Sequence, residues 1–177
     1  MTIAVVGPDG SGKTNYCKGF SKPVMHAIPK TRYWKVGDSK GARILHELFM
    51  AAEKLLVFAK LHRMKDAMLE RCYIDAEVYG HLWSIKMGTS IPLIICRLTN
   101  LFAYKPDIIH QLVVEPSKAR PTRGYTREEI DLLNDLFTFV IRRHGYHQFN
   151  YVEYDRGVLI IWKKGTSSWS TVERRRR

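Results

Sequence analysis

The chain has 177 residues, three cysteines and a formal net charge of +12. That length specifies one domain able to bury roughly two-thirds of its unfolded surface without disulfide staples. The odd number of cysteines, with no metal-ligand spacing, leaves Cys17, Cys72 and Cys96 as small apolar side chains in a reducing cytoplasm. The longest apolar stretch, Ile91–Phe102, contains Pro92 and Arg97 and is too short to span a bilayer, so no membrane partner is expected.

A strand is predicted from the second residue through Ile3-Ala4-Val5-Val6, which leaves no room for a leader peptide. The octapeptide Gly7-Pro8-Asp9-Gly10-Ser11-Gly12-Lys13-Thr14 follows at once and fits G-x-x-x-x-G-K-[ST], the phosphate-binding loop. Glycines at Gly7, Gly10 and Gly12 let the backbone wrap closely around a polyphosphate, with successive N–H groups, that of Ser11 among them, pointing inward as donors. Lys13 then reaches the β- and γ-phosphates, and the Thr14 hydroxyl ligates Mg²⁺. The motif demands a helix next, and Lys13–Phe20 reads as one. ATP and Mg²⁺ are therefore the expected cofactors.

The remaining elements alternate between strand and helix. Val24–Ile28, bracketed by Pro23 and Pro29, is a second strand, and Gly41–Arg63 carries apolar residues at helical spacing. Ala67–Tyr73 reads as a strand, Asp75–Lys86 as a helix and Ile91–Phe102 as a further helix beginning near Pro92. Asp107–Glu115 is a clear strand. Thr126–His144 is an amphipathic helix in which Thr126 and Glu129 form a capping box. Tyr146–Tyr154 and Gly157–Lys163 are the last strands, separated by the hairpin turn Asp155-Arg156-Gly157. Residues 1–166 thus form one domain, and 167–177 a flexible basic tail whose four final arginines leave about +9 on the folded body. Strands joined by helices imply a three-layer α/β/α sandwich with a mostly parallel central sheet. Ligands of such sheets bind beyond the carboxyl ends of the strands, where Gly7–Thr14, Glu70-Arg71 and Glu115–Arg123 converge.

Gly-Pro-Asp-Gly-Ser-Gly-Lys-Thr, with Asp9 inside the loop, resembles the phosphate loop of thymidylate kinases. Glu70-Arg71-Cys72-Tyr73-Ile74-Asp75 is similar to their Asp-Arg-Tyr motif and to the Glu-Arg-Ser motif of deoxynucleoside kinases. Pro106-Asp107 leading into Ile108–Glu115, then Pro116-Ser117-Lys118-Ala119-Arg120, resembles their passage from strand to lid, placed at about 116–126. The shortness of the chain is reminiscent of phage-encoded nucleotide kinases. The resemblance implies a P-loop kinase fold and transfer of the ATP γ-phosphate to a deoxynucleoside monophosphate. It implies that Lys13 stabilises the transferring phosphoryl group, that Thr14 and Glu70 organise Mg²⁺, and that Arg71 holds the acceptor. Asp9 approaches the sugar, and Arg120 and Arg123 act as lid arginines.

The resemblance stops at Pro29-Lys30-Thr31-Arg32-Tyr33-Trp34, where thymidylate kinases carry Arg-Glu-Pro-Gly; Lys30 or Arg32 stands there as the available cation. No carboxylate lies between Pro23 and Gly37 to serve as a base for a sugar hydroxyl, which favours an already ionised monophosphate acceptor over a nucleoside. Tyr79 is the candidate base-contacting residue, and Phe49, Phe58, Tyr73, Trp83 and Tyr33-Trp34 are further aromatic options. The basic charge keeps open a kinase of DNA, acting on a 5′-hydroxyl end or a modified base. A deoxynucleoside kinase, a non-catalytic ATP-binding protein and a homodimer also stay open.

Overall fold

The computed structural model describes residues 1–21, 24–26, 39–63, 66–118, 125–154 and 156–165. Its central element is β1 (Ile3–Val6), four apolar and mostly β-branched residues buried on both sides, as a strand inside a parallel sheet requires. Around it lie β2 (Val24–His26), β3 (Met68–Glu70), β4 (Ile108–Val114), β5 (Tyr146–Tyr154) and β6 (Gly157–Lys164) in the order β2-β3-β1-β4-β6-β5. The first four are parallel, with Ala4 opposite Leu69 on one side and Ile109 on the other. β6 runs antiparallel between β4 and β5, so the architecture is a mixed, mostly parallel sheet with helices on its two faces.

The two faces are covered unequally because successive residues of a strand point opposite ways. Ala4, Val6, Leu69 and Ile109 face the main core, where Phe58 and Leu61 of α2 (Lys40–Leu61), Ile74 and Val78 of α3 (Tyr73–Met87) and Leu133 and Phe137 of α5 (Arg127–Arg143) meet them. Ile3, Val5, Met68 and Leu112 face a smaller cluster closed by Cys17, Tyr16 and Phe20, in and just after α1 (Lys13–Lys18). α4 (Ile91–Asn100) packs on α2 and α3, so closely that a Cβ on Gly80 would meet Cys96 Sγ at 3.1 Å. All three cysteines are buried free thiols.

Polar staples fix the helices to the sheet. Asn134 of α5 donates to the Val114 carbonyl at 2.9 Å and accepts from the Val114 N–H at 3.3 Å. The fully buried Gln111 side chain donates to Thr138 at 3.0 Å and accepts from the Trp162 indole at 3.0 Å. Since an unpaired buried amide costs about 1–3 kcal/mol, these bonds specify how α5 seats on β4. The Thr126–Glu129 capping box forms as expected, with bonds of 3.0 and 3.2 Å. Glu77 of α3 is buried and gathers Arg97, Arg143 and His144 at 3.2, 3.0 and 2.7 Å, tying α3 to α4 and α5. Burial raises its pKa, but the hydrogen bond with His144 and the Arg97 and Arg143 guanidiniums outweigh burial and bring it down to about 2.

One element differs from its sequence reading. The run Ala67–Tyr73 is not strand throughout: β3 ends at Glu70, Arg71 turns into the left-handed region at φ 70°, and α3 starts at Tyr73. The cause is local, because the Asp75 carboxylate accepts the Cys72 N–H at 2.9 Å and starts the helix two residues before its expected first residue. Elsewhere only boundaries move, α1 ending at Lys18 and α4 at Asn100; residues 27–28 of the expected second strand lie outside the described residues. Among the described residues no helix is long and apolar enough to cross a membrane.

Candidate active site

The loop Gly7–Thr14 leaves the carboxyl end of β1 and curls over the sheet edge, and its glycines are there for steric reasons. Gly7, at φ 147°, passes so close to β4 that a Cβ would lie 2.5 Å from the Leu112 carbonyl oxygen. Gly10 and Gly12 adopt φ values of 87° and 91°, which side chains disfavour. The Lys13 ammonium folds back into the loop and donates to the Gly7 and Pro8 carbonyls, each at 2.7 Å, with Asp9 at 3.9 Å. Only 4% of Lys13 is exposed. Burial, reinforced by the Arg71 guanidinium, lowers its pKa to about 8, against the pull of Asp75, Asp9 and Glu70.

β3 supplies the second part of the site. Glu70, its last residue, accepts the Thr14 hydroxyl at 2.6 Å. Arg71 follows; its N–H bonds the Val5 carbonyl at 2.9 Å and its guanidinium reaches Asp9 at 2.5 Å. A left-handed arginine costs about 1–2 kcal/mol, and the strain turns the guanidinium toward the loop. From α3, the Tyr79 phenol accepts the Asp9 N–H at 3.1 Å. Asp75 lies fully buried behind this group, where burial raises its pKa to about 6 despite Lys13 and Arg71. The buried Ser11 hydroxyl makes no hydrogen bond among the described residues.

Gly7, Asp9, Gly10, Ser11, Gly12, Lys13, Thr14, Glu70, Arg71 and Tyr79 are thus brought together at one end of the sheet. Arg32, Lys30, Tyr33, Trp34, Arg120 and Arg123 lie outside the described residues. Just beyond β4, Glu115 and Lys118 are paired at 2.6 Å; residues 119–124 of the expected lid lie outside the described residues. Of the aromatic options, Phe58 and Tyr73 are buried in the main core. Phe49 stays exposed on α2. An apolar cleft of about 510 Å³ between Leu55, Phe58, His62, Leu101 and Phe102 shares no residue with the phosphate loop.

Sequence reasoning missed two groups. Asp75 was legible in principle as the carboxylate three residues after an N-cap. Arg156, in the β5–β6 turn, was not: it comes within reach of Gly12 only through the sheet order, a Cβ on Gly12 lying 3.9 Å from its Nη1.

The donor set accommodates Mg²⁺ of the kind that keeps most ligands as water and phosphate, since Thr14 and Glu70 offer adjacent oxygens. Among the described residues no cluster of three or more His, Cys, Asp or Glu could form an all-protein metal cage.

No family model matches the chain, and no curated protein matches it. Solved structures do. Deoxyadenosine kinase from M. mycoides with the products dCMP and a flexible dCDP bound is 17% identical, with a TM-score of 0.58 over 81% of this chain and 84% of that one. The dATP-bound form of deoxyadenosine kinase from M. mycoides is also 17% identical, at a TM-score of 0.48 over 81% and 85%. The shared feature is the fold: a mostly parallel α/β sheet of the P-loop kinase type.

Proposed function

We propose that this protein is an ATP-dependent phosphotransferase that moves the γ-phosphate of ATP to a deoxynucleoside monophosphate. The observation that carries the reading is the meeting of Lys13, Thr14, Glu70 and Arg71 at the carboxyl ends of two adjacent strands. Phosphoryl transfer asks little covalent chemistry of the protein; it needs alignment and cations that neutralise charge on the equatorial oxygens. Lys13 meets that need by leaving the neutral Gly7 and Pro8 carbonyls for the phosphates. Thr14 and Glu70 would hold Mg²⁺, which would supply positive charge to offset the charge that develops on the transferring phosphoryl group. Arg71, anchored by Asp9, holds the acceptor phosphate, and Tyr79 holds Asp9 in place. Arg120 and Arg123 close the lid, with Arg32 as an acceptor cation.

A second reading, transfer to a deoxynucleoside, is supported by the likeness in fold to deoxyadenosine kinase. Nucleoside transfer needs a general base at the sugar hydroxyl, whereas a monophosphate is already ionised. Conversion of ATP to ADP against deoxynucleoside monophosphates, deoxynucleosides and 5′-hydroxyl or base-modified oligonucleotides, with products identified by mass, separates them. Turnover on a monophosphate is expected. Turnover only on nucleosides selects the second reading, turnover only on DNA assigns the basic charge to substrate binding, and silence with ATP binding intact leaves a binding protein.

A further inference from the structure

Arg156 has no part in the reading above, and it stands on the opposite flank of the phosphate loop from Arg71. β1, which carries the loop, lies between β3 on one side and β4 on the other, with β6 next to β4. Because β6 is antiparallel, with Gly157 opposite Val114, the turn before it is delivered to the carboxyl end of β4, beside the loop. Two contacts hold the turn there. The Glu115 N–H bonds the Arg156 carbonyl at 2.9 Å, and Gly157, at φ 155°, abuts the Val113 carbonyl so tightly that no side chain would fit.

The guanidinium of this fixed residue reaches the loop, its Nη1 lying 3.9 Å from where a side chain on Gly12 would begin. The residue is half-buried, and among the described residues its guanidinium makes no hydrogen bond or ion pair. Arg71 differs in having Asp9 as its counter-charge. Five N–H donors partly withdrawn from water beside a phosphate-binding sequence match a phosphate in charge and in bidentate geometry.

We propose that Arg156 binds the donor nucleoside triphosphate, setting its guanidinium against the polyphosphate at Gly12. The proposal rests on the reading of Gly7–Thr14 as a triphosphate site. It divides the loop between two arginines, with Arg71 on the acceptor flank and Arg156 on the donor flank.

Calorimetric titration of Mg·ATP into the wild type, Arg156→Gln and Arg156→Lys tests it, with melting of each protein measured without nucleotide. The expected result is an affinity lower by about tenfold to a hundredfold in Arg156→Gln, from loss of charge-assisted hydrogen bonds. Most of it returns in Arg156→Lys, and all three proteins melt together. An affinity in Arg156→Gln within about twofold of the wild type overturns the proposal. So does an equal loss in Arg156→Lys accompanied by a lower melting temperature, which marks a residue that only supports the turn. A wild-type chain that binds no ATP overturns instead the triphosphate reading on which the proposal stands.

Discussion

The two flanks of the phosphate loop are built on opposite plans. On the β3 side the charged groups gathered at the loop are engaged before any ligand arrives: Arg71 with Asp9, Glu70 with Thr14, Lys13 with two loop carbonyls, and Asp75 with the start of α3. On the β6 side one arginine is fixed through its backbone and leaves its guanidinium unpaired among the described residues. The first plan stores alignment, and the second stores unbalanced charge. Catalysis by positioning draws on the former, and capture of an anion draws on the latter.

The comparison breaks most visibly at Lys13. Lys13→Met should reduce phosphoryl transfer at least about a hundredfold while the protein stays folded. Its melting temperature at pH 7 should equal or exceed that of the wild type. The reason is the lowered pKa: between about 8 and the ordinary lysine value the unfolded chain binds the extra proton, so wild-type stability rises with pH across that window. Holding the ammonium buried below pH 8 therefore costs stability, and methionine removes the cost. Turnover measured beside a melting curve at pH 7 and 9 checks both parts, and full activity in folded Lys13→Met would sink the mechanism.

Arg71→Ala comes next. It should raise the KM of the acceptor by about tenfold to a hundredfold and leave ATP affinity nearly unchanged, because the loss falls on one flank. Steady-state kinetics with each substrate varied in turn sharpens the division; an unchanged acceptor KM defeats it. On the other flank, Gly157→Ala forces a side chain into the Val113 carbonyl at a φ suited to glycine. A stability loss of about 1–3 kcal/mol should follow, together with weaker ATP binding as the Arg156 turn lifts. Denaturant melts and calorimetry on the same sample report the two effects.

The smallest effect is expected at Asp75. Its folded pKa of about 6 lies above the ordinary carboxylate value, so its protonated form contributes stability that is fully present below about pH 4 and is lost as pH rises through 6. Asp75→Asn keeps an acceptor for the Cys72 N–H and removes the titration. The melting temperature of that variant should vary less between pH 4 and 6 than that of the wild type, and parallel curves would show that Asp75 does not titrate there.

Much of this was legible in the chain because the signals are local. The phosphate loop is eight contiguous residues, and the α5 capping box spans four, so both appear as written. The run after Ala67 misled because a short apolar segment has no period to distinguish a buried strand from the first turn of a buried helix. Tyr73 and Ile74 are core residues either way; the left-handed turn at Arg71 and the Asp75 cap decide between the two. Asp155-Arg156-Gly157 announces a hairpin, yet no residue in it says that the returning strand enters between β4 and β5. That choice is made by pairing over the whole of β4, and Arg156 became visible only with it.

The same insertion sets the order in which the sheet can be completed. β4 and β5 point the same way and are separated by a strand that is synthesised after both. The native partner of the β4 edge, residues 157–164, leaves the ribosome only after β5. A chain cut short before Gly157 therefore carries an open strand edge through its centre, a template for association with other chains, while the finished chain closes it with seven consecutive pairs from Ile108–Lys163 to Val114–Gly157.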